Sequence, residues 1–415
     1  MIKVLLKGPL LTQTGYGHHA RTVLRALRTK EDIFDVFIHP LNWGQTSWLW
    51  QDNEERQWID NALQKTIHYT SSGGQFDVSL QVTIPNEWEK LAPVNIGITA
   101  GIETTRIAPQ WVEKSFLMDK IITISQHSKQ VFENTEYEAV NEQTGEQFSL
   151  KVETPVEYIT YPVRKFDPVK LDLNLTTKFN FLTVAQLSPR KNAEHLIRCF
   201  VEEFGDNPDV GLVIKGNIAK NSLIDRVTTI NNFKNLLARY SGRKCKIYLL
   251  HGYLSDHEMA GLYTHPKIKA IVSTAHGEGF GLPLYEAAYY GLPIAATDWS
   301  GHLDFLYKPV KQKNGNIKKK HMFGRITYTL QPVQKAAVWE GVVPEDSLWA
   351  FPEEGSTKTA MREIYKDHGR FKKRSKELQK WICDEFEEQK IYNQFIDLLG
   401  LNTDSTEEQK VEVYG

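Results

Sequence analysis

The sequence has few cysteines, no long apolar run and almost no net charge. Its three cysteines, Cys199, Cys245 and Cys383, are too scattered for a disulfide framework or a zinc site. No apolar stretch approaches the roughly 18 residues of a membrane span, and the apolar part of MIKVLLKGPL at the start is too short for a signal peptide. The 50 basic and 51 acidic residues give a net charge of −1, which excludes a general attraction to nucleic acid. We therefore expect a cytoplasmic protein that binds anions only locally.

Short apolar runs, in contrast, are frequent, and they fall into two sets separated near residue 165. Each run has the length of a strand and does not alternate with polar residues, which is typical of parallel sheets buried on both faces. Between the runs lie helical patterns, such as the one formed by Ala20, Val23, Leu24 and Leu27. The ten runs are IKVLLKG, FDVFIH, FDVSLQV, VNIGIT and KIITIS, then FNFLTVAQL, VGLVIKG, KIYLLHG, IKAIVST and LPIAAT. The pattern predicts an α/β fold with two doubly wound, Rossmann-like domains that face each other across a cleft.

A chain of 415 residues is also too long for one ordinary core. The proline-bearing stretch YITYPVRKFDPVKLDLN marks the predicted boundary between domains at 1–165 and 166–370. Apolar residues at helical spacing predict one long helix over 371–400, and a polar tail is expected at 401–415.

Two glutamates eight positions apart stand in HGEGFGLPLYEAAYYGLP, which starts at His276. Pro283 fits the first turn of a helix and Gly291 its end, so we expect a glycine-rich loop that leads into a short helix. Such a loop exposes backbone N–H groups suited to a diphosphate. Glu278 and Glu286 would then accept hydrogen bonds from hydroxyl groups. Alternatively, Glu278 is a solvated loop acid, and the macrodipole favours Glu286 near the helix start by about 0.3–1 kcal/mol.

Two cations stand in LSPRKN, after the first strand of the second set. Ser188 is a good N-cap and Pro189 suits the first helical position, so Arg190 and Lys191 are expected in the first turn of a helix. Cations oppose the macrodipole there, which favours a bound anion. A solvated surface pair is the alternative.

Three further candidates come from the first set of runs. Gly15 and Gly17 lie between the first strand and the first helix. There they either allow the backbone to approach a phosphate or form only a tight turn. Glu103, in TAGIETT, is either a site residue or a loop acid. Ser125, after KIITI, either faces the cleft or caps a helix.

HGEGFGLPLYEAAYYGLPIAAT resembles the signature of GT-B retaining glycosyltransferases of family 4, in which two glutamates are separated by seven residues. The resemblance implies that Glu278 contacts the donor hexose and that Glu286 contacts the nucleotide ribose. It also implies donor-binding backbone groups next to the diphosphate or the sugar, at Gly279, Phe280, Gly281 and Leu282.

Other segments extend the resemblance to most of the chain, roughly residues 1 to 400. LSPRKN is similar to the phosphate-binding segment of the family, and Lys191 matches its lysine, but Gln186 stands where the family has arginine. TQTGYGHHAR resembles the N-terminal glycine-rich loop. Many relatives carry a histidine where this chain reads TAGIETT, so Glu103 becomes the second candidate catalytic residue beside Glu278. In this fold the final helix crosses back to the first domain.

The resemblance implies retaining transfer of a hexose from a UDP- or GDP-linked sugar to an acceptor hydroxyl on a glycan or glycoconjugate. The nucleotide sugar is a substrate, so no cofactor and no metal are expected. A nucleotide-sugar epimerase of the same fold and a non-catalytic nucleotide-sugar or glycan-binding protein are the alternatives.

Two segments lie outside the resemblance. KPVKQKNGNIKKKHM carries six lysines around an Asn-Gly turn and is expected to form a hairpin, solvated or in contact with an acidic acceptor or a membrane surface. HPLNWGQTSWLWQDNEERQW carries four tryptophans, which suit either sugar stacking or local core packing.

Overall fold

The computed structural model describes residues 1–44, 46–141 and 143–401, and two six-stranded sheets dominate it. The elements of the first half are β1 (Ile2–Gly8), α1 (Gly15–Arg28), β2 (Phe34–Pro40), α2 (Glu54–Ser71), β3 (Val78–Val82), β4 (Val94–Ile98), α3 (Pro109–Ser115), β5 (Lys120–Thr123), α4 (Gln126–Asn134), β6 (Glu136–Val140), β7 (Gln147–Lys151) and β8 (Val156–Tyr158). Those that follow are β9 (Phe179–Gln186), α5 (Ala193–Phe204), β10 (Val210–Asn217), α6 (Leu223–Ala238), β11 (Lys246–Leu250), α7 (Asp256–Thr264), β12 (Ile268–Ser273), α8 (Leu282–Tyr289), β13 (Ile294–Thr297) and α9 (Leu303–Leu306). The last are β14 (Tyr307–Lys311), β15 (Ile317–His321), β16 (Gly324–Ile326), β17 (Tyr328–Pro332), β18 (Leu348–Pro352), α10 (Glu354–Lys366), α11 (His368–Glu385) and α12 (Glu388–Leu399).

Both large sheets are parallel and doubly wound, which confirms the predicted fold class. The first has the order β2-β1-β3-β4-β5-β8, and the second has the order β11-β10-β9-β12-β13-β16. The order reverses between β1 and β3 in the first sheet and between β9 and β12 in the second. Ligands of open α/β sheets bind beyond the carboxyl ends of the strands at such reversals. The loops after β1, β9 and β12 are therefore the places to search for a site, and they carry the glycine-rich and basic segments predicted above.

All ten apolar runs form strands, and each contributes aliphatic side chains to the hydrophobic clusters that cover the sheets. In the first domain, the predicted stripe of α1 packs onto β1 and β3, and Ala20, Val23, Leu24 and Leu27 are all buried. In the second, Leu196, Ile197, Phe200 and Phe204 of α5 are buried in the same way. Hydrophobic periodicity thus located the cores correctly.

The prediction of one helix from Ser188 to Phe204 is wrong. Residues Pro189–Lys191 form a separate 3₁₀ turn, and Asn192 adopts a left-handed conformation with φ of 51° before α5 begins. Ser188 makes no side-chain cap. Asn tolerates this conformation better than most residues, and it separates the turn that carries Arg190 and Lys191 from α5.

The single long helix predicted over 371–400 is also wrong. The chain forms α11 and α12, which are separated at Phe386 and Glu387. The break divides the predicted stripe, because Leu378 and Ile382 lie in the core of the second domain, whereas residues Tyr392, Phe395, Ile396 and Leu399 join the core of the first domain. The return to the first domain is therefore confirmed for α12. Residue 401 is the last one described, so the predicted tail lies outside the described residues from 402 onward.

The lysine-rich segment forms the antiparallel hairpin β14–β15, with Gly315 at its turn. Lys308 and Lys320 both lie near the carboxylate of Glu377, at 3.2 and 3.5 Å. Within the described ranges, no helix combines the length and the apolar character that crossing a membrane requires.

Candidate active site

The glycine-rich loop after β12 passes so close to the first domain that two of its residues have no space for a side chain. A Cβ atom on Gly277 would lie 2.3 Å from the carbonyl oxygen of Glu103, and one on Gly279 would lie 2.4 Å from that of Ala100. Real Cβ atoms essentially never approach a neighbour below 3.0 Å. Glycine at these positions therefore allows the two domains to meet along a seam, with Glu278 between them.

Glu278 is buried at this seam and is surrounded by hydrogen-bond donors. Its carboxylate accepts hydrogen bonds from Lys191 Nζ at 2.5 Å and from Arg190 Nη1 at 3.1 Å. Its backbone N–H donates to Ser300 Oγ, and its carbonyl oxygen accepts from Gly301 N–H. Burial by itself would raise the pKa of Glu278, but Lys191 and Arg190 outweigh burial and lower that pKa to about 2. The carboxylate is therefore ionised throughout the physiological range.

Arg190 joins the two domains through a second carboxylate. Its Nη1 lies 3.2 Å from Glu103 Oε1 in the first domain and donates to the carbonyl oxygen of Gly277. Burial works against the charge of Arg190, but Glu103 and Glu278 raise its pKa. Burial lowers the pKa of Lys191, whereas the Glu278 carboxylate acts in the opposite direction. Two cations and two carboxylates thus form one compact cluster.

Both cations lie on the 3₁₀ turn just before α5, not in the first turn of the helix as the sequence predicted. Their charge is balanced by carboxylates from two other segments. Gln186, at the position of the family arginine, does not join the cluster, because its exposed side chain donates to the carbonyl oxygen of Ile218.

Glu286 lies on α8 in a different environment. Its Oε2 accepts a hydrogen bond from the Tyr263 hydroxyl at 2.8 Å. Burial raises the pKa of Glu286 to about 7, although the Tyr263 hydrogen bond acts in the opposite direction. The residue lines a cavity of about 190 Å³ between the domains, together with His18 and Leu282. Glu278, Arg190 and Lys191 lie outside that lining, so the structure does not bring both glutamates to the same cavity.

The residues between the glutamates place the start of α8. Gly281 precedes the helix with φ of 89°, a conformation that favours glycine. The Phe280 ring packs edge-on against Tyr161 and Tyr285, so only its backbone remains for a ligand. Leu282 then continues from the seam to the cavity. The segment therefore connects the two environments of Glu278 and Glu286.

The glycine-rich loop after β1 reaches the same region from the first domain. Helix α1 begins at Gly15, and the Thr14 hydroxyl accepts a hydrogen bond from Gly17 N–H. A Cβ atom on Gly17 would lie 2.2 Å from the carbonyl oxygen of Thr12, whereas the Cβ position of Gly15 is open. The Tyr16 hydroxyl bonds Oγ1 of Thr99, which follows β4 and is the first residue of the TAGIETT segment.

Sequence reasoning missed two histidines at the seam. His302 packs against Gly281, and its Nε2 bonds the carbonyl oxygen of Thr297. The ring of His127, on α4, contacts the indole of Trp299 at 5.0 Å. Burial, and then the proximity of His302, lower the pKa of His127 to about 4, so both rings are neutral near pH 7. The position of both histidines shortly after the ends of β5 and β13 was the available signal.

Several polar atoms at these residues are buried without a hydrogen-bond partner among the described residues. They are His127 Nε2, His302 Nδ1, Trp299 Nε1 and Thr297 Oγ1. Buried polar groups are nearly always bonded, and exceptions concentrate at sites that bind water or a ligand. Ser125, in contrast, caps α4 by accepting from Ser128 N–H, which settles its alternative interpretations in favour of the cap.

Comparison with known proteins gives the same class of fold. Residues 165–321 match the family model described as glycosyl transferases group 1. The structure of Anabaena HepE in complex with UDP and glucose has a TM-score of 0.60 at 14% identity, covering 96% of this chain and 100% of that one. Sucrose-phosphate synthase from Thermosynechococcus elongatus has the same TM-score and identity, with 96% and 98% covered. The chain has the fold of GT-B glycosyltransferases, as the sequence resemblance predicted.

Curated relatives match over shorter segments. The serotype-specific mannosyltransferase WbdA of Escherichia coli is 29% identical over 119 residues, which are 29% of this chain and 13% of WbdA. The UDP-N-acetylglucosamine–peptide N-acetylglucosaminyltransferase GtfA subunit of Streptococcus pneumoniae serotype 4 is 24% identical over 158 residues, 38% of this chain and 28% of that protein. The matches thus cover less than a third of either relative.

Proposed function

We propose that this chain is a retaining glycosyltransferase that moves a hexose from a nucleoside-diphosphate sugar, linked to UDP or GDP, to an acceptor hydroxyl on a glycan or glycoconjugate. The observation that carries this proposal is the buried Glu278 carboxylate, paired with Lys191 and Arg190 at the interdomain seam. These residues lie within the segment that matches glycosyl transferases group 1. The names of WbdA and GtfA, as a mannosyltransferase and an N-acetylglucosaminyltransferase, support transfer of a sugar.

In this proposal the cluster responds to the charge of the donor. Lys191 and Arg190 neutralise Glu278 and Glu103 in the structure. A diphosphate brings additional negative charge, and the two cations would turn toward it and stabilise it as the leaving group. Glu278 is then released to accept hydrogen bonds from the hexose, while Glu286 accepts from the ribose.

Retention of configuration follows if the acceptor attacks from the face that the diphosphate leaves. The bond between the anomeric carbon and the phosphate oxygen breaks, the acceptor oxygen bonds that carbon, and the acceptor proton passes to the departing phosphate. Within the described part of the chain, no group of three or more His, Cys, Asp and Glu side chains is placed to hold a metal. The proposal assigns the positive charge to Lys191 and Arg190, without a metal or a cofactor.

A second candidate is a non-catalytic nucleotide-sugar binder. It is favoured by Gln186, whose side chain points to the Ile218 carbonyl and supplies no charge for a leaving diphosphate. A nucleotide-sugar epimerase of the same fold is the third. Donor binding without consumption indicates the binder, and an altered donor sugar without transfer indicates the epimerase.

The test is a thermal-shift panel of UDP-glucose, UDP-galactose, UDP-N-acetylglucosamine and GDP-mannose, followed by donor-consumption assays. A true donor raises the melting temperature, because binding to the native state stabilises it by mass action. Glu286→Ala is expected to abolish turnover while circular dichroism stays unchanged. Asp206→Ala, at a side chain that is 97% exposed, is the matched control and should retain turnover. Wild-type rates in Glu286→Ala would overturn the donor-site assignment.

A further inference from the structure

The mouth of the interdomain cavity is built from both domains. Between β2 and α2, the chain crosses toward the second domain, where Gln51 Nε2 donates to the Tyr253 hydroxyl at 3.0 Å. From the other side, Asn221 donates its backbone N–H to Ser47 Oγ at 3.2 Å and its side-chain amide to Gln13 Oε1 at 3.0 Å. The mouth is therefore a defined structure in which side-chain amides and hydroxyls from both domains are bonded to each other.

Two tryptophans of this crossing segment are strongly exposed. Trp48 is 52% exposed and Trp50 is 70% exposed, although indole rings usually have much of their surface buried. Their neighbours Leu49 and Gln51 line the cavity, so cavity-lining and exposed residues alternate along the segment. The Trp50 ring meets the Tyr253 ring edge-on at 6.0 Å. We call Trp48, Trp50, Gln51 and Tyr253 the tryptophan rim.

We propose that the tryptophan rim binds the saccharide part of the acceptor, so that a glycan lies across the indole rings while its reacting hydroxyl reaches the hexose held by Glu278 at the seam. Aromatic faces carry negative partial charge and attract the C–H face of a sugar ring. The side-chain amides of Gln13, Gln51 and Asn53, which line the cavity, both donate and accept and thus suit hydroxyl groups. This inference rests on the proposed glycosyl transfer and adds where the saccharide part of the acceptor binds.

A lipid surface is the competing occupant. Leu223 and Ile224, which follow Asn221 at the start of α6, are 73% and 81% exposed and would suit acyl chains. The charges beside the tryptophans argue against an anionic bilayer, because Asp52 and Glu54 are exposed there and such a surface would repel them. Four arginines also line the cavity, but each already has a partner: Arg21 donates to the carbonyl oxygens of Leu10 and Thr12, and Arg25, Arg56 and Arg164 pair with Glu55, Asp60 and Glu388. The uncharged amides of Gln13, Gln51 and Asn53 remain, and they match hydroxyl groups.

Direct binding separates this inference from the catalytic proposal. Wild-type protein is titrated with maltotriose, cellotriose and mannotriose, and binding is followed by calorimetry and by tryptophan fluorescence. We expect binding of at least one trisaccharide and about a tenfold weakening in Trp48→Ala/Trp50→Ala. Trp339→Ala removes a tryptophan that is 57% exposed elsewhere and should bind as wild type does. The thermal shift with the nucleotide-sugar panel should be equal in all three proteins.

The outcomes are distinguishable. Equal saccharide affinity in Trp48→Ala/Trp50→Ala and wild type would overturn the inference that the tryptophan rim binds saccharide, even if donor consumption is normal. Saccharide binding that depends on the rim in a protein that never consumes a donor would support the rim and refute glycosyl transfer. If no trisaccharide binds, the inference is wrong. If vesicles of phosphatidylglycerol then bind and Leu223→Ser/Ile224→Ser abolishes that binding, the mouth is a lipid contact instead.

Discussion

Of the two glutamates of the glycine-rich motif, Glu278 is buried and Glu286 is half-buried, and their surroundings give them opposite charge behaviour. Glu278 lies among Lys191 and Arg190, and its pKa falls to about 2. Glu286 has Tyr263 as its hydrogen-bond partner, and its pKa rises to about 7. Burial acts in the same direction on both carboxyl groups, so the partner decides the outcome. The motif fixes where the two acids stand, and distant segments of the chain decide which of them is permanently charged.

The largest effect on the difference in pKa between Glu278 and Glu286 is expected from removing the positive charge of Lys191. Lys191→Met keeps much of the volume of the side chain but leaves Glu278 with only Arg190. We expect a loss of transfer rate on the order of 10²–10³-fold, as for other groups that stabilise a leaving or developing anion. The loss of one of the two cationic partners of this buried carboxylate should also cost about 1–3 kcal/mol of stability. Transfer assays and thermal melts measure the two effects.

Lys215→Met is a suitable control, because it removes a partly buried lysine whose amino group bonds the Gly252 carbonyl, away from the cluster. Should Lys191→Met retain the donor turnover of wild type, Lys191 has no role at the diphosphate.

The second largest effect concerns the dependence of the free energy of unfolding on pH. The two glutamates should contribute to this dependence with opposite signs. The folded-state pKa of Glu278 is depressed, so its contribution is present above about pH 4.5 and is lost as the pH falls toward 2. The folded-state pKa of Glu286 is raised, so the folded state is penalised as the pH rises from about 4.5 to 7. At pH 8 we expect Glu278→Gln to lose about 3 kcal/mol and Glu286→Gln to gain about 1–2 kcal/mol.

Urea unfolding of both variants and wild type at pH 5, 6.5 and 8 checks the signs. The difference between Glu286→Gln and wild type should shrink as the pH falls to 5, whereas the deficit of Glu278→Gln should change little over this range. Parallel pH profiles for the two variants would show that the environments of the two carboxyl groups are alike.

The smallest expected effect comes from adding a cation next to the turn that carries Arg190 and Lys191. Gln186→Arg restores the residue type that the family resemblance implies, at an exposed position close to the turn of Arg190 and Lys191. Exposed charges interact weakly, so we expect the KM for the donor to fall only about two- to fivefold, and less in high salt. Gln186→Glu should raise it by a similar factor. No change in either variant would place position 186 out of reach of the donor.

The sequence was sufficient for the strands, the glycine-rich loops and the helix after Glu278, because each depends on local apolar pattern and turn chemistry. It failed where tertiary contacts override such patterns. Asn192 adopts a left-handed conformation that separates the basic turn from α5, and the chain breaks at Phe386 because its two halves pack in different domains. The partners of Glu278 were found as separate candidates, but their pairing arises only when the loops after β9 and β12 come together in the second domain. The contact of Arg190 with Glu103 and the approach of His127 to His302 arise only when the two domains meet.

The break at Phe386 has a mechanical consequence. The polypeptide passes between the domains twice, once after β8 and once before α12, and the two passages touch: Val163 N–H donates to the Phe386 carbonyl oxygen at 2.8 Å, and Arg164 pairs with Glu388 at 3.0 Å. Two connections joined side by side restrain the domains more than a single linker would. Any displacement of one domain against the other at this point must move both passages together or break these two contacts.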